Sequence, residues 1–374
     1  MLIYVLLTIS TILMSLMVNN RCEKLSYGYS KQQVLNGLCL LSVFLLLFAI
    51  SALRLNVGND YAKYVEIFHL NACKLGTDTI VPTEPGFNLI CILIYLISGR
   101  EENFLLMFAF FAFLTILFFL KGMYEQSESF TISFIIFMLL GYYFHTFSTV
   151  RYYFALSIAF ISIPYVLKKQ WGKFILLILL GALFHKSVLL VIVFYYLSQR
   201  KWKSYQIIIV LLLCGSFFVF KDFYINLFYK FYPTYEGTGI INGGTSYIAI
   251  LRCVLVLIMS LLMYKKHIKE DRTLRFYFYS NIGAMLVYLC MSFLPDVSRA
   301  GYYLSITHIL FVPSLINRIE KPKLKIAFKI GLVVMCIVYF GVFLLKEAPA
   351  DGLRILPYET WLYHDMVSIL SDVS

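Results

Sequence analysis

Apolar runs long enough to cross a bilayer recur along almost the whole chain, and no other feature narrows its possible folds as much. A membrane helix needs about 20 apolar residues. Such runs stand at 2–18, 33–54, 103–121, 129–147, 150–167, 205–220, 247–264, 275–294, 301–317 and 326–345. In lipid every backbone N–H and C=O must be satisfied inside the segment, so these runs predict helices. Two further segments are harder to place. The stretch 86–98 is short for a crossing, and 172–198 is interrupted by His185-Lys186-Ser187. The polar gaps span at most about 30 residues, too few for a soluble domain. The first run lacks a basic flank and a small-residue cleavage site, so it reads as a retained helix. The fold class is therefore all-α and polytopic, a single integral membrane domain over 1–374.

Composition agrees. Of the 374 residues 61% are hydrophobic and 14% charged, against about a quarter charged in soluble domains. The net charge of +12 does not imply nucleic acid, because Lys and Arg sit in short clusters between the apolar runs. There they act as topology signals. The eight cysteines (22, 39, 73, 91, 214, 253, 290 and 336) form no CxxC pair, which predicts neither a disulfide framework nor a zinc site.

Cytoplasmic loops are enriched in Lys and Arg, which sets the orientation. Lys168, Lys169 and Lys173 precede the interrupted segment, and Arg200, Lys201 and Lys203 follow it. With both flanks cytoplasmic, 172–198 enters and returns as two short helices with His185 at the turn. The clusters Arg21 to Lys31, Lys265 to Arg272 and Arg318 to Lys325 fall on the same side. The path closes if 86–98 is a re-entrant or surface helix. This gives about 12 transmembrane segments (±2), some short or re-entrant. Both termini and the loops 55–85, 148–151, 221–246, 295–300 and 346–374 lie on the outer face, with 55–85 and 221–246 contributing to an outer-face site.

That path brings Arg54, Asp60, Glu84, Arg151, His185 and Arg299 to one membrane face, and Arg252 is a seventh candidate. An arginine in the bilayer costs roughly 2.5–3.5 kcal/mol on insertion scales, so it has a partner or a purpose. The planar guanidinium fork suits phosphate, and carboxylates with a histidine add acid–base capacity. Each residue also has a plainer reading. Asp60 fits the N-cap of the following helix, and Glu84-Pro85 fits a helix entry. Arg151 beside Tyr152 and Tyr153 can snorkel. His185 can satisfy a carbonyl at a helix break, Arg299 can pair with Asp296, and Arg252 can pair within the bundle.

Aromatic residues are abundant, with 29 Tyr and 34 Phe, many at span ends as in GYYFHTF (141–147) and FYINLFYKFYPTY (223–235). They fit an interfacial belt and equally a stacking surface for sugar rings. Tyr61, Tyr64 and Phe68 share one helical face, suited to the membrane surface or to the bundle. The glycines of EGTGIINGGTSY (236–247) fit a mobile lid or an ordinary flexible loop. No Walker A, GxSxG or HExxH occurs, and no DxD stands in an outer loop.

RLNVGNDYAKY (54–64), EPGF (84–87), RYYFALSIAF (151–160), KFILLILLGALFHKS (173–187) and SRAGYYLSI (298–306) resemble the EpsG-type, Wzy-like polysaccharide polymerases. The likeness runs from about residue 30 to LPYETW at 356–361. It departs from the family where Tyr152 stands for a Gln and Asn59 for a Thr. The resemblance implies a metal-independent glycosyl transfer without cofactor, on the outer face of a bacterial cytoplasmic (inner) membrane. The substrate would be an undecaprenyl-diphosphate-linked oligosaccharide in the lipid bilayer, and a chain-length regulator protein is a candidate partner. Arg54, Arg151 and Arg299, with Arg252, would hold the diphosphate, and Asp60, Glu84 and His185 are the candidates for the base. A lipid-linked glycan flippase and an O-antigen ligase are the competing expectations.

Overall fold

Local chemistry fixes where the helices begin and break. Ser30 opens one by a capping box with Gln33, and Asp271 opens another by accepting from the N–H groups of Thr273 and Leu274. Gly141, at φ +79°, breaks the run expected at 129–147. The computed structural model describes residues 1–22, 28–73, 83–231, 247–294 and 297–363. These form α1 (Leu2–Leu16), α2 (Lys31–Ala52), α3 (Tyr61–Cys73), α4 (Pro85–Ile97), α5 (Phe104–Gln126), α6 (Phe130–Leu139), α7 (Tyr142–His145), α8 (Val150–Leu167) and α9 (Trp171–Ala182). They continue with α10 (Leu190–Gln199), α11 (Ser204–Val219), α12 (Lys221–Phe231), α13 (Tyr247–Met263), α14 (Arg272–Cys290), α15 (Val297–Ser305), α16 (His308–Asn317) and α17 (Pro322–Val342).

Five helices are long and apolar enough to cross a membrane: α2, α5, α8, α13 extended to Ile268, and α17 extended to Glu347. A sixth is added if α11 and the start of α12, bent by 87°, count as one span. Helix α11 buries none of its residues, and Ile207, Ile208, Leu211 and Leu212 all point outward. A helix apolar on every face needs an apolar surrounding.

The described residues pack as two units. The first takes Met1–Ile161, Leu179–Lys186 and Ile319–Ser374, and the second takes Ser162–Ile178 and Ser187–Arg318. In the first, α1, α2, α5, α6 with α7, the start of α8, and α17 run between two ends. One end is a polar knot. Asn36 Nδ2 donates to Asn19 O at 2.7 Å and to the Tyr124 hydroxyl at 3.2 Å, and Thr131 donates to Ser15 O at 2.7 Å. At the opposite end Tyr4 donates to Ile355 O at 2.7 Å, Tyr143 to Leu47 O at 2.6 Å, and Tyr358 to Ile50 O at 3.0 Å. Helix α4 stays with this second end. Its Phe87 stacks on Phe111 of α5, and His69 of α3 meets Glu102, just before α5, at 2.8 Å. The segment therefore returns the chain to the side it came from, as a re-entrant or surface helix does.

In the second unit the stretches Trp171–Ile178 and Ser187–Gln199 run side by side. Trp171 packs on Tyr196 with ring centroids 5.8 Å apart, Phe174 on Tyr195 at 6.1 Å, and Gln199 donates to Val166 O. The hairpin expected over 172–198 is thus present, with His185 between α9 and the 3-10 turn Lys186–Leu189. Arg272 and Arg318 close the end that holds Gln199, bonding Gln199 Oε1 at 2.6 Å and Asp271 Oδ2 at 3.2 Å respectively.

Two expectations change. Of the expected loop 221–246, residues 221–231 are the helix α12, and 232–246 lie outside the described residues. The expected loop 295–300 is helical from Val297, and the span expected at 301–317 is two helices broken at Ile306–Thr307. There Thr307 Oγ1 donates to Leu304 O at 2.7 Å, a local bond that competes with the helical ladder.

Candidate active site

The α2 helix ends at Ala52, and Arg54 then pairs as an isolated antiparallel bridge with Thr360. The segment 353–361 lies against the turn that follows. Leu55 N–H donates to Glu359 O at 3.0 Å, Gly58 N–H to Arg354 O at 2.8 Å, Asn59 N–H to Leu353 O at 3.0 Å, and Trp361 N–H to Leu53 O at 3.3 Å. Gly58 has φ +108°, and a Cβ there would strike the Phe147 carbonyl, so only glycine fits. Asn59 is bonded to the Ser148 hydroxyl. The turn is therefore held from two sides.

These contacts enclose the Arg54 side chain, which is 1% exposed. Its NH1 donates to Ser51 O at 2.6 Å and to Ser51 Oγ at 2.9 Å. Its guanidinium lies 4.9 Å from the Phe108 ring and 5.1 Å from the Phe147 ring. Among the described residues no carboxylate pairs with it, and Arg54 Nε and the Tyr61 hydroxyl are buried without a hydrogen-bond partner. Burial pulls Arg54 below the usual arginine range, while Tyr61, Tyr143, Tyr4 and Tyr358 act in the opposite sense. Burial also pushes Tyr61 up to about 12 and Tyr358 up to about 12, with Arg54 opposing both.

Arg151, in the first turn of α8, is held differently. Its NH1 meets Glu84 Oε2 at 2.5 Å, both side chains being largely buried. Its guanidinium lies 5.2 Å from the Phe87 ring and 5.5 Å from the Tyr64 ring. Glu84 stands at the N-cap of α4 with Pro85 at N1, but its side chain makes no capping bond and turns to Arg151 instead. The hairpin tip closes the group. Gly86 N–H donates to Leu183 O at 2.8 Å, and a Cβ on Gly86 would come within 2.8 Å of that oxygen. Phe184 packs edge-on against Phe154 at 4.8 Å, and His185 edge-on against Tyr152 at 5.4 Å.

Asp60 takes the N-cap position of α3, where its carbonyl accepts Tyr64 N–H at 3.0 Å, and its charge acts on Tyr64. Tyr61, Tyr64 and Phe68 are all buried, so their shared face belongs to the bundle and not to the membrane surface. Tyr61 stacks on Phe108 at 4.4 Å, and Tyr64 meets the same ring edge-on at 6.2 Å. An aromatic bridge thus connects Arg54 to Arg151.

Arg54, Asp60, Glu84, Arg151 and His185 therefore share one unit. Arg252 and Arg299 belong to the other. Arg252, on α13, lies 5.9 Å from the Tyr302 ring, and Arg299 is half-buried on α15. Asp296, its expected partner, lies outside the described residues. Sequence reasoning missed the walls of the site: Ser51, Phe87, Phe108, Phe147 and the strap 353–361. Tyr152, a departure from the family pattern, packs on His185. Within the described residues no three His, Cys, Asp or Glu gather to hold a metal ion.

The apolar outward-facing helices and the buried cationic, aromatic end define an integral membrane protein that maintains charge where charge is expensive. The EpsG family model matches residues 37–360, and the chain belongs to that family. Membership makes it a polysaccharide polymerase-like membrane protein of polysaccharide biosynthesis. No curated protein and no solved structure matches it.

Proposed function

We propose that the chain joins undecaprenyl-diphosphate-linked repeat units into O-antigen, capsule or exopolysaccharide at the outer face of the bacterial cytoplasmic membrane. The observation that carries this reading is Arg54, a buried guanidinium for which the described chain supplies no carboxylate. A buried charge without a counter-ion costs several kcal/mol. An anionic ligand gives that cost a purpose, and a lipid diphosphate is such an anion.

In the proposed reaction the acceptor hydroxyl oxygen bonds to the anomeric carbon of the donor. The bond from that carbon to the phosphate oxygen breaks, and the diphosphate leaves with the electron pair. Arg54 and Arg151 stabilise the departing charge as fixed cationic donors. We assign the hydroxyl proton to Asp60, because Glu84 is engaged in fixing Arg151. His185, oriented by Tyr152, positions the acceptor or the diphosphate. No step requires a metal ion or cofactor.

Sidedness follows from charge. In the first unit Arg21, Lys31, Lys321, Lys323 and Lys325 cluster around the polar knot. Lys and Arg bias places that end in the cytoplasm and the arginine site outside. We count α1 and the α6–α7 pair among the crossings, and the α9–α10 hairpin as two half-crossings, in keeping with about 12 segments.

The deciding experiment is deletion of the gene with glycan ladder analysis. Collapse of the ladder to a single exported repeat unit is expected. Loss of all units would indicate a flippase, and an unattached full-length ladder a ligase. Glu359→Cys should be labelled by an impermeant thiol reagent from outside and Lys323→Cys only after permeabilisation; the reverse pattern would invert the orientation.

A further inference from the structure

The second unit contains a polar junction that the proposed chemistry does not use. Asn281, near the middle of α14, donates its Nδ2 to Cys253 O of α13 at 3.0 Å. Its Oδ1 lies 2.7 Å from Nε2 of His308, the first residue of α16. All three residues are buried, His308 to 1% exposure. A carbonyl can only accept, so Cys253 fixes the Asn281 amide with its NH2 toward α13 and its oxygen toward His308. His308 Nε2 must then carry the proton. In the neutral ring the other nitrogen, Nδ1, is a bare lone-pair acceptor. It is buried without a hydrogen-bond partner, as is Ser280 Oγ one residue before Asn281.

A structural link between three helices needs only Nε2. It does not explain an acceptor held in one tautomer with nothing to accept. Arg252, half-exposed on α13, is close enough to act on His308 electrostatically, and its guanidinium lies over the Tyr302 ring. A lone-pair acceptor, a forked donor and an aromatic ring are the three elements that bind a polyol: one takes a hydroxyl proton, one donates to ring and hydroxyl oxygens, and one covers C–H faces.

We propose that His308 Nδ1, with Arg252 and Tyr302, forms a carbohydrate subsite in the second unit, His308 accepting a hydrogen bond from a sugar hydroxyl. The assignment rests on the polymerase reading for its ligand, a lipid-linked glycan, but not for its geometry. Asn281 is a positioning residue that sets the tautomer.

Two substitutions separate ligand binding from structure, because each keeps one ring nitrogen's role. His308→Asn retains an acceptor near the Nδ1 position and loses the donor to Asn281. His308→Gln retains that donor and loses the acceptor at Nδ1. The full chain in lipid nanodiscs is titrated with undecaprenyl diphosphate and with the lipid-linked repeat unit extracted from its host. Both variants should bind undecaprenyl diphosphate like the wild type. His308→Gln should bind the glycan lipid about 10-fold more weakly, and His308→Asn within about 3-fold of wild type, a hydrogen bond's worth of affinity. Wild-type affinity in His308→Gln would overturn the subsite and leave the polymerase reading standing. So would an equal loss in both variants, which marks the link to Asn281 as purely structural. A wild type that binds neither lipid would sink the polymerase reading and the subsite together.

Discussion

Arg54 and Arg151 touch the same aromatic pair, Phe108 and Tyr64, yet they are held in opposite ways. Arg54 is sealed by the strap 353–361, bonded to Ser51 alone, and faces two phenyl rings. Arg151 keeps part of its surface open and is paired with Glu84. A paired guanidinium has its charge balanced before a ligand arrives and is oriented by its carboxylate. An unpaired, enclosed one keeps its whole field for whatever anion comes near. Two arginines with the same sequence-level reading are thus a positioned contact and a fixed source of positive potential.

The largest effect expected from breaking this comparison is on turnover. Arg151→Ala should lower polymer formation about 100-fold or more while the protein is still expressed, and Arg151→Lys should fail similarly, because an ammonium cannot reproduce the fork. The ladder with an immunoblot for protein level reads both, and near-normal polymer in Arg151→Ala would break the assignment. Stability should then part the two arginines. Arg151→Met leaves the Glu84 carboxylate stranded among aromatic rings and should cost about 3 kcal/mol, most of it recovered in the double variant with Glu84→Gln. Arg54→Met strands no carboxylate and should stay within about 1 kcal/mol of wild type while abolishing polymer. Thermal unfolding in nanodiscs measures this, and a larger loss in Arg54→Met than in Arg151→Met would reverse the comparison.

Gly86→Ala comes next, at about 2 kcal/mol from overpacking against Leu183, together with loss of activity as the hairpin tip moves from Glu84. Full activity with unchanged stability would show that the tip is not part of the site. Tyr358→Phe should cost about 1 kcal/mol, one buried hydrogen bond from the strap to Ile50. The smallest effect at neutral pH concerns titration. Tyr61 and Tyr358 have folded values raised to about 12, above the tyrosine range of unfolded chains near 10. Their protonated forms favour the fold, so this stability is complete below about pH 10 and is lost as pH rises through about 12. A pH series of melting curves should be flatter at the alkaline end in Tyr61→Phe with Tyr358→Phe than in the wild type.

Much of the architecture was legible because it depends on local chemistry. Span length, basic flanks and the His185-Lys186-Ser187 interruption predicted the 172–198 hairpin from burial and charge alone. The non-crossing course of 86–98 followed from counting faces. The Arg151–Glu84 pair was not legible. Glu84-Pro85 fits a helix entry, and nothing in sequence says that its carboxylate turns to an arginine 67 positions away. The strap was also missed. LPYETW suggested family resemblance, but its role against Arg54 is made of backbone hydrogen bonds, which leave no mark on residue identity.

The order of apolar runs, basic clusters and caps by itself determined that this chain is a helical membrane protein with its charged residues gathered toward helix ends, because transfer into lipid is decided residue by residue. Only the tertiary structure decided which arginine is paired and which is enclosed, and which histidine is left with an open acceptor. Those outcomes depend on partners brought together from distant segments, where the energy of a buried charge or lone pair is set by the few atoms that happen to surround it.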